Sequence, residues 1–490
     1  MSDLLKRAYD PEKFRKQGHD MVNRLADYLA ESLNRTDIPV YPYKEPDERY
    51  KDWDRDFNSP GEEGLSDFFD DTIRDSIHLH HPRYVGHQVT PPIPIAALSD
   101  MLSAMLNNGM AVYEMGAVST AQEKVVMNEL AKEIGMDASA GGMIVSGGSI
   151  GNLTALLSAR QALQNSDIWI DGNNSERQLA IMVSENAHYC VERASKIMGL
   201  GDQGIIKVPV DDDLKMRVPA LEKSLKNARD RNITIIAIVA NAANTATGTF
   251  DPLDKIADFC RDEEIWFHID GAHGGAAAIS RKYNNLTKGI ERADSVVIDF
   301  HKMMMMPALC TAVLFRKEND SYQTFAQKAP YLWGDNDDKQ WYNVGKRTIE
   351  CTKRMMSTKI YAMLRTYGFD LVREYVDTTF DLAAEFAELI YADKDFRIVS
   401  EPACNIVCFN YIDDFEDLHK SNAFVTSIRE EVIKSGRFYI SATLVGEEMC
   451  LRTTLMNPFT DKKDLLELLD LVREFARDEI SKLEEVNLHT

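Results

Sequence analysis

The run ITIIAIVANAANTATGTFDPLDKIADFCRDEEIWFHIDGAHGG, residues 233–275, decides the fold. It begins as a nearly continuous apolar strand, crosses a turn rich in Asn, Thr and Gly, continues as a helix, and ends in a second apolar strand, IWFHID. Strands that are apolar throughout and separated by helices belong to a mostly parallel sheet covered on both faces. In such a sheet ligands bind beyond the carboxyl ends of the strands. The same plan occurs upstream in MIVSGGSIGNLTALLSARQAL (143–163) and LAIMVSENAHYCVERASKIMG (179–199), and SVVIDF (295–300) and TAVLFR (311–316) add further strands. The expectation is an α/β fold. Ahead of it, STAQEKVVMNELAKEIG (119–135) predicts a helix: Ser119 and Gln122 have capping-box spacing, Val126, Leu130 and Ile134 share a face, and Gly135 stops it.

The flanks read differently. Residues 6–33 carry Phe14, Met21, Leu25, Tyr28 and Leu29 at helical spacing among charges. An arm with one apolar stripe has little core of its own, so it is expected to bury that stripe on another surface, most simply a second subunit. Past Gly368, long helices at 369–391 and 465–483 accompany strand-like runs at 406–409 and 438–443. At 490 residues the chain exceeds one ordinary core. The expected division is an N-terminal arm and dimerisation segment (1–85), a large α/β domain (86–368) and a small C-terminal α+β domain (369–490).

A formal charge of −22 with no dense basic block argues against nucleic acid and anionic membranes as partners. The start, MSDLLKRAYDPEKFRKQ, has neither the apolar run of a signal peptide nor the character of a transit peptide, and no stretch approaches the ~18 apolar residues of a membrane span. A cytoplasmic protein is expected. Seven scattered cysteines without a C-x-x-C pair suit reduced thiols; Cys404 and Cys408 read as small buried hydrophobes, and no metal site is expected.

Four segments carry chemistry. In SGGSIGN (146–152), a strand ends in Gly147 and Gly148 and a hydroxyl, Ser149, opens a helix; backbone N–H groups there can hold a phosphate, or the turn is simply a tight one with a cap. In FHIDGAHGG, Asp270 ends a strand beside the small Gly271 and Ala272, which suits a planar heterocycle with a protonated ring nitrogen, a metal, or a plain strand-end turn. In DFHKMMMMP, His301 and Lys302 follow an apolar strand; Lys302 is a Schiff-base nucleophile or a snorkelling surface lysine, and residues 303–306 pack core or cleft wall. In SENAHYC, His188 again follows a strand, as a site residue or a structural histidine.

Together the four segments resemble the group II pyridoxal-phosphate decarboxylases of the aspartate-aminotransferase superfamily, from about His81 to Thr460. The resemblance implies fold type I, pyridoxal 5′-phosphate as cofactor, a homodimer with active sites at the subunit interface, and decarboxylation of an aromatic or diaminobutyrate-like L-amino acid. It implies that Lys302 forms the Schiff base, His188 stacks on the ring, Asp270 pairs with its nitrogen and Ala272 lies beneath it. Gly148, Ser149, Thr245, Asp299 and His301 complete the implied cofactor contacts. Against the family GGT-E-A-N loop this chain keeps the hydroxyl of Ser149 and Asn152 but lacks the acid, and its A-G-T-T turn appears as Ala242, Ala243, Asn244, Thr245. Arg83, Tyr84, His87 and Glu114 face substrate or the dimer interface; Arg354 and Arg452 match recurrent family arginines. Other pyridoxal-phosphate reactions, an aldehyde-forming decarboxylase and a non-catalytic homologue are the competing readings.

Tyr331, in AQKAPYLWGDNDDKQW (326–341), resembles the family's catalytic-loop tyrosine, which protonates the substrate α-carbon after CO₂ departs. Family members that release aldehydes carry Phe there. Tyr331→Phe is therefore expected to slow amine formation by about 10²-fold or more and to raise oxygen consumption and aldehyde release. Amine formation at the wild-type rate would remove Tyr331 from the mechanism, and aldehyde as the main wild-type product would assign the oxidative branch.

Overall fold

The computed structural model describes residues 2–34, 38–57, 65–163, 168–172, 178–325 and 341–488. Contacts divide the chain into two compact units, one of Gln88–Ala387 with Ile398–Cys408, the other of Met1–His87, Glu388–Arg397 and Phe409–Thr490.

The larger unit holds the sheet that the apolar runs predict. Its strands are β1 (Gly141–Val145), β2 (Gln178–Ser184), β3 (Ile205–Val208), β4 (Ile233–Asn241), β5 (Trp266–Asp270), β6 (Ser295–Asp299) and β7 (Thr311–Phe315), in the order β1-β7-β6-β5-β4-β2-β3. Every residue of β1, β6 and β7 is buried, which is why these runs contain no exposed polar alternation. Neighbours from β3 through β6 pair parallel, whereas β7 runs antiparallel to both β6 and β1. Because β7 reverses twice, β1 points the same way as β6. Val145, Ser184, Asn241, Asp270 and Asp299 consequently end on one edge, where β7 begins.

The helix before β1 spans Ala117–Glu133, and Val126, Leu130 and Ile134 are buried as expected. The capping box is a correction. Gly116 is the N-cap and Ser119 already lies inside the helix, its hydroxyl donating to the Gly116 carbonyl at 3.2 Å. Gly135 follows the end at φ +85°, a conformation that a Cβ disfavours, and donates to the Lys132 carbonyl. On the buried side Glu123 accepts both the Ile144 N–H at 3.2 Å and Lys353 Nζ at 2.6 and 2.8 Å, and Lys353 also donates to the Ile144 carbonyl. This pair fixes β1 just before its glycine turn. Lys353→Met would strand the Glu123 charge in the core and should cost about 3–5 kcal/mol, read as a lower denaturant midpoint; an unchanged midpoint would show the pair to be dispensable.

In the other unit residues 1–87 are bound to the C-terminal segment rather than forming a separate body. Val40 donates to the Gly436 carbonyl, Val85 to that of Tyr439 and Thr454 to that of Val85, while the Tyr84 and Tyr439 rings stack at 5.1 Å. The helix Pro11–Leu33 buries only Ser32, and the predicted stripe is covered in part: Met21, Tyr28 and Leu29 are half-buried, Tyr28 against the His78 and His80 rings, whereas Phe14 is 52% exposed and Leu25 45%. A second sheet comprises β8 (Phe396–Ser400), β9 (Ile406–Tyr411), β10 (Ser441–Val445) and β11 (Glu448–Thr454), in the order β10-β11-β9-β8; residues 398–400 and 406–408 of it are grouped with the larger unit. Among the described residues no helix is long and apolar enough to cross a membrane.

Candidate active site

The shared strand edge brings the predicted residues together. Gly148, Ser149, His188, Thr245, Asp270, Ala272, Asp299, His301 and Lys302 all line one cavity of about 270 Å³. Tyr331 lies outside the described residues.

Gly147, at φ +120°, turns the chain from β1 into the helix Gly148–Gln161, whose first N–H groups have no helical acceptor. Gly148 sits close to the sheet: a Cβ there would come within 3.2 Å of the Asp299 carboxylate. Gly151 is equally confined by Val297 and Thr311, which explains why a glycine follows Ile150 in this loop. No side chain caps this helix, so the Ser149 hydroxyl is not engaged as its N-cap.

Lys302 Nζ lies 3.1 Å from Asp299 Oδ2, and its side chain is 20% exposed, which does not fit a snorkelling surface lysine. Asp299 is buried and accepts the Thr311 hydroxyl at 2.5 Å. Residues 303–306 are all buried and pin the backbone beyond the lysine. His301 packs its Nδ1 against the Cys310 backbone.

Asp270 accepts the Ala272 N–H at Oδ1 and the Asn152 amide at Oδ2, each at 3.2 Å. Burial pushes its pKa up, while the Lys302 and His188 charges pull the other way. His188 caps the helix Tyr189–Ile197 by accepting the Cys190 N–H at Nδ1, and burial lowers its pKa against the pull of Asp270. With Nδ1 accepting, Nε2 is the ring nitrogen left to donate into the cavity. Cys190 also lines the cavity, but burial pushes its thiol up to about 12, which rules out a thiolate at neutral pH.

The sequence reading missed His268 and the part played by Asn152. The signal was a histidine inside an apolar strand, two residues before Asp270 and so on the same face. Burial pushes the His268 pKa down to about 4 from 6.5. Between those values the unfolded chain binds more protons, so stability present above about pH 6.5 is lost as pH falls toward 4, by at most roughly 3 kcal/mol. His268→Gln should flatten this part of the stability–pH curve; an unchanged slope would exclude His268 as its source.

The residues left unassigned by sequence are also placed. Arg83 pairs with Asp464 and Glu467, Arg452 is buried on β11 and donates to Ser441, Glu114 and Arg354 are exposed, and the Arg452 and Arg429 charges act on His87 to lower its pKa together with burial, the larger cause.

A phosphate-sized cradle, an amine beside a buried acid and a second carboxylate over a flat alanine floor suit one cofactor, pyridoxal phosphate, in the fold type I arrangement. The chain belongs to the pyridoxal-dependent decarboxylase family, whose conserved domain matches residues 65–412. It is 31% identical over 385 residues to an L-aspartate decarboxylase of Metarhizium robertsii, covering 78% of this chain and 76% of that one. It is 29% identical over 403 residues to an aromatic-L-amino-acid decarboxylase of Bacillus atrophaeus, covering 82% of each. The crystal structure of mouse CSAD superposes with a TM-score of 0.89 at 25% identity, covering 95% of this chain and 99% of that one. The protein is a pyridoxal-phosphate-dependent carboxy-lyase that converts an amino acid to an amine and CO₂.

Proposed function

We propose that Lys302 carries the cofactor as a Schiff base, with Gly148 and Ser149 at its phosphate, His188 and Ala272 on opposite ring faces, Asp270 at the ring nitrogen, and Thr245, Asp299 and His301 around its rim. The observation that carries this reading is that nine residues from five separate strand-end segments line one cavity. When bound, the cofactor withdraws the electron pair that departing CO₂ leaves on the substrate α-carbon. Asp270 would hold the ring nitrogen's proton, because a carboxylate nearby favours its charged form. When not bonded to the cofactor, Lys302 would be kept within the cavity by Asp299 Oδ2. Tyr331 delivers the proton to the α-carbon. Borohydride reduction and peptide mapping should place the cofactor label on Lys302; a label on another lysine, or none, sinks the assignment.

The substrate belongs to the L-amino acids, with the aromatic and diaminobutyrate-like types implied by the family resemblance, although the segments HPRYVGHQVTPP and NNGMAVYEMG match neither type closely. Relatives are named for aromatic amino acids, aspartate and 2,4-diaminobutyrate. An amine-release screen over the L-amino acids identifies the one used here.

The working unit is a cytoplasmic homodimer. Its support is exposed apolar surface: Leu98, Met101, Leu102, Met105 and Leu106 on the helix Pro94–Leu106, and Phe14, Val22 and Leu25 on the arm. None of the seven cysteines forms a disulfide, in keeping with a reducing compartment. Deleting residues 1–35 should give dissociated or insoluble protein; a truncated chain that sediments as an active dimer would show the arm to be dispensable.

A further inference from the structure

Behind Asp270 a line of polar side chains runs through the interior of the large unit. Asn152 Nδ2 lies 3.2 Å from Asp270 Oδ2, and Asn152 Oδ1 lies 2.7 Å from His268 Nε2. His268 Nδ1 is 2.8 Å from Ser295 Oγ, which in turn receives the Trp266 indole N–H at 2.9 Å. Asn152, His268 and Ser295 are wholly buried.

Donor and acceptor chemistry permits one assignment along this line. Asn152 Nδ2 is also 3.0 Å from the Gly148 carbonyl, which can only accept, so that atom is the amide nitrogen and the oxygen faces His268. Asn152 Oδ1 then requires a hydrogen on His268 Nε2. A neutral imidazole with that hydrogen accepts at Nδ1, and Ser295, already taking the Trp266 N–H, supplies its own hydroxyl hydrogen there. Every hydrogen points toward the site, and the last reaches the carboxylate. Reversing the Asn152 amide would set its oxygen against Asp270 and its nitrogen against an N–H.

We propose that His268 is a positioning residue for catalysis: acting through Asn152, it keeps an N–H donor on Asp270 Oδ2 and so holds that carboxylate ionised and aimed at the cofactor's ring nitrogen. The proposal rests on the reading of Asp270 as the partner of that nitrogen. Burial works against the ionised carboxylate, and the other charged groups facing it are Lys302, His188 and Asp299. A donor to a charged acceptor in the interior changes the ionised fraction by roughly ten- to a hundred-fold, enough to govern the pyridinium.

The test uses the holoenzyme and three variants. His268→Leu, which has no donor, should lower kcat roughly ten- to a hundred-fold while KM moves less than about threefold. It should also shift the pH at which the visible band of the bound cofactor changes and speed cofactor loss on dialysis. His268→Gln, whose amide can present an N–H where Nε2 lies, should recover most of the kcat and the band titration. If His268→Leu does not fold, Asn152→Ala removes the same donor and should shift the band in the same direction. A folded His268→Leu or Asn152→Ala protein with wild-type kcat and band titration overturns the proposal. Asp270→Asn separates the two layers: if it shifts the band and His268→Leu does not, only the relay fails, and if neither shifts it, the reading of Asp270 fails.

Discussion

Lys302→Ala should lose turnover almost completely, near the upper end of the ~10²–10⁴-fold that a positioned proton carrier supplies, because in the proposed site the same amine also anchors the cofactor. The visible band of the bound cofactor should disappear with it. Removing the lysine leaves Asp299 buried with Thr311 and, at 3.6 Å, His301 Nε2, so lost activity could reflect a disturbed site. Lys302→Arg separates these effects. A guanidinium keeps a cation near Asp299 but does not give up its proton to become a nucleophile, so activity should stay lost while folding is retained. Turnover near the wild-type rate in either folded variant would place the Schiff base elsewhere.

Asp270→Asn should damage the chemical step more than binding. An opposite charge within a few ångströms shifts a partner's pKa by about 1–3 units, so an amide in its place should lower the protonated fraction of the ring nitrogen and reduce kcat by about 10–10³-fold. An interaction that acts on the chemical step should leave KM far less changed. The amide can still accept the Ala272 N–H at one atom, which limits structural damage. Equal losses in kcat/KM and kcat fit this role; a raised KM with unchanged kcat would make Asp270 a substrate-binding group instead.

Strand ends were readable because burial on both faces forces continuous apolar runs, and the residue that breaks each run marks the edge: Asp270 after WFHI, Asp299 after SVVI, the glycine pair after MIV. Strand direction was not readable, since the run at 311–316 looks the same whether it pairs parallel or antiparallel. β3 escaped notice because only Val208 of its four residues is buried, leaving little apolar signal. Ser119 misled because capping-box spacing also arises by chance inside a helix, where the hydroxyl bonds to the preceding turn. His268 went unread for a different reason. A polar residue in an apolar strand has meaning only once its partner is known, and Asn152 lies on a distant helix. The strand-like run at 438–443 begins too early: β10 starts at Ser441, and Tyr439 instead bridges to Tyr84.

β1 lies at the border of the large sheet, and its one strand neighbour is β7, with Gly141 opposite Phe315. During synthesis the glycine turn therefore emerges long before the strand that steadies it, and the intervening chain includes most of the other cavity-lining segments. Closing so long a loop is slow relative to local helix formation. A ribosome-bound chain stopped before Thr311 has no strand partner for β1, and the Asp299 carboxylate lacks the Thr311 hydroxyl. Vitamin loading should therefore wait until nearly two thirds of the polypeptide has been made, and partially translated chains should not compete for the cellular pool of the reactive aldehyde.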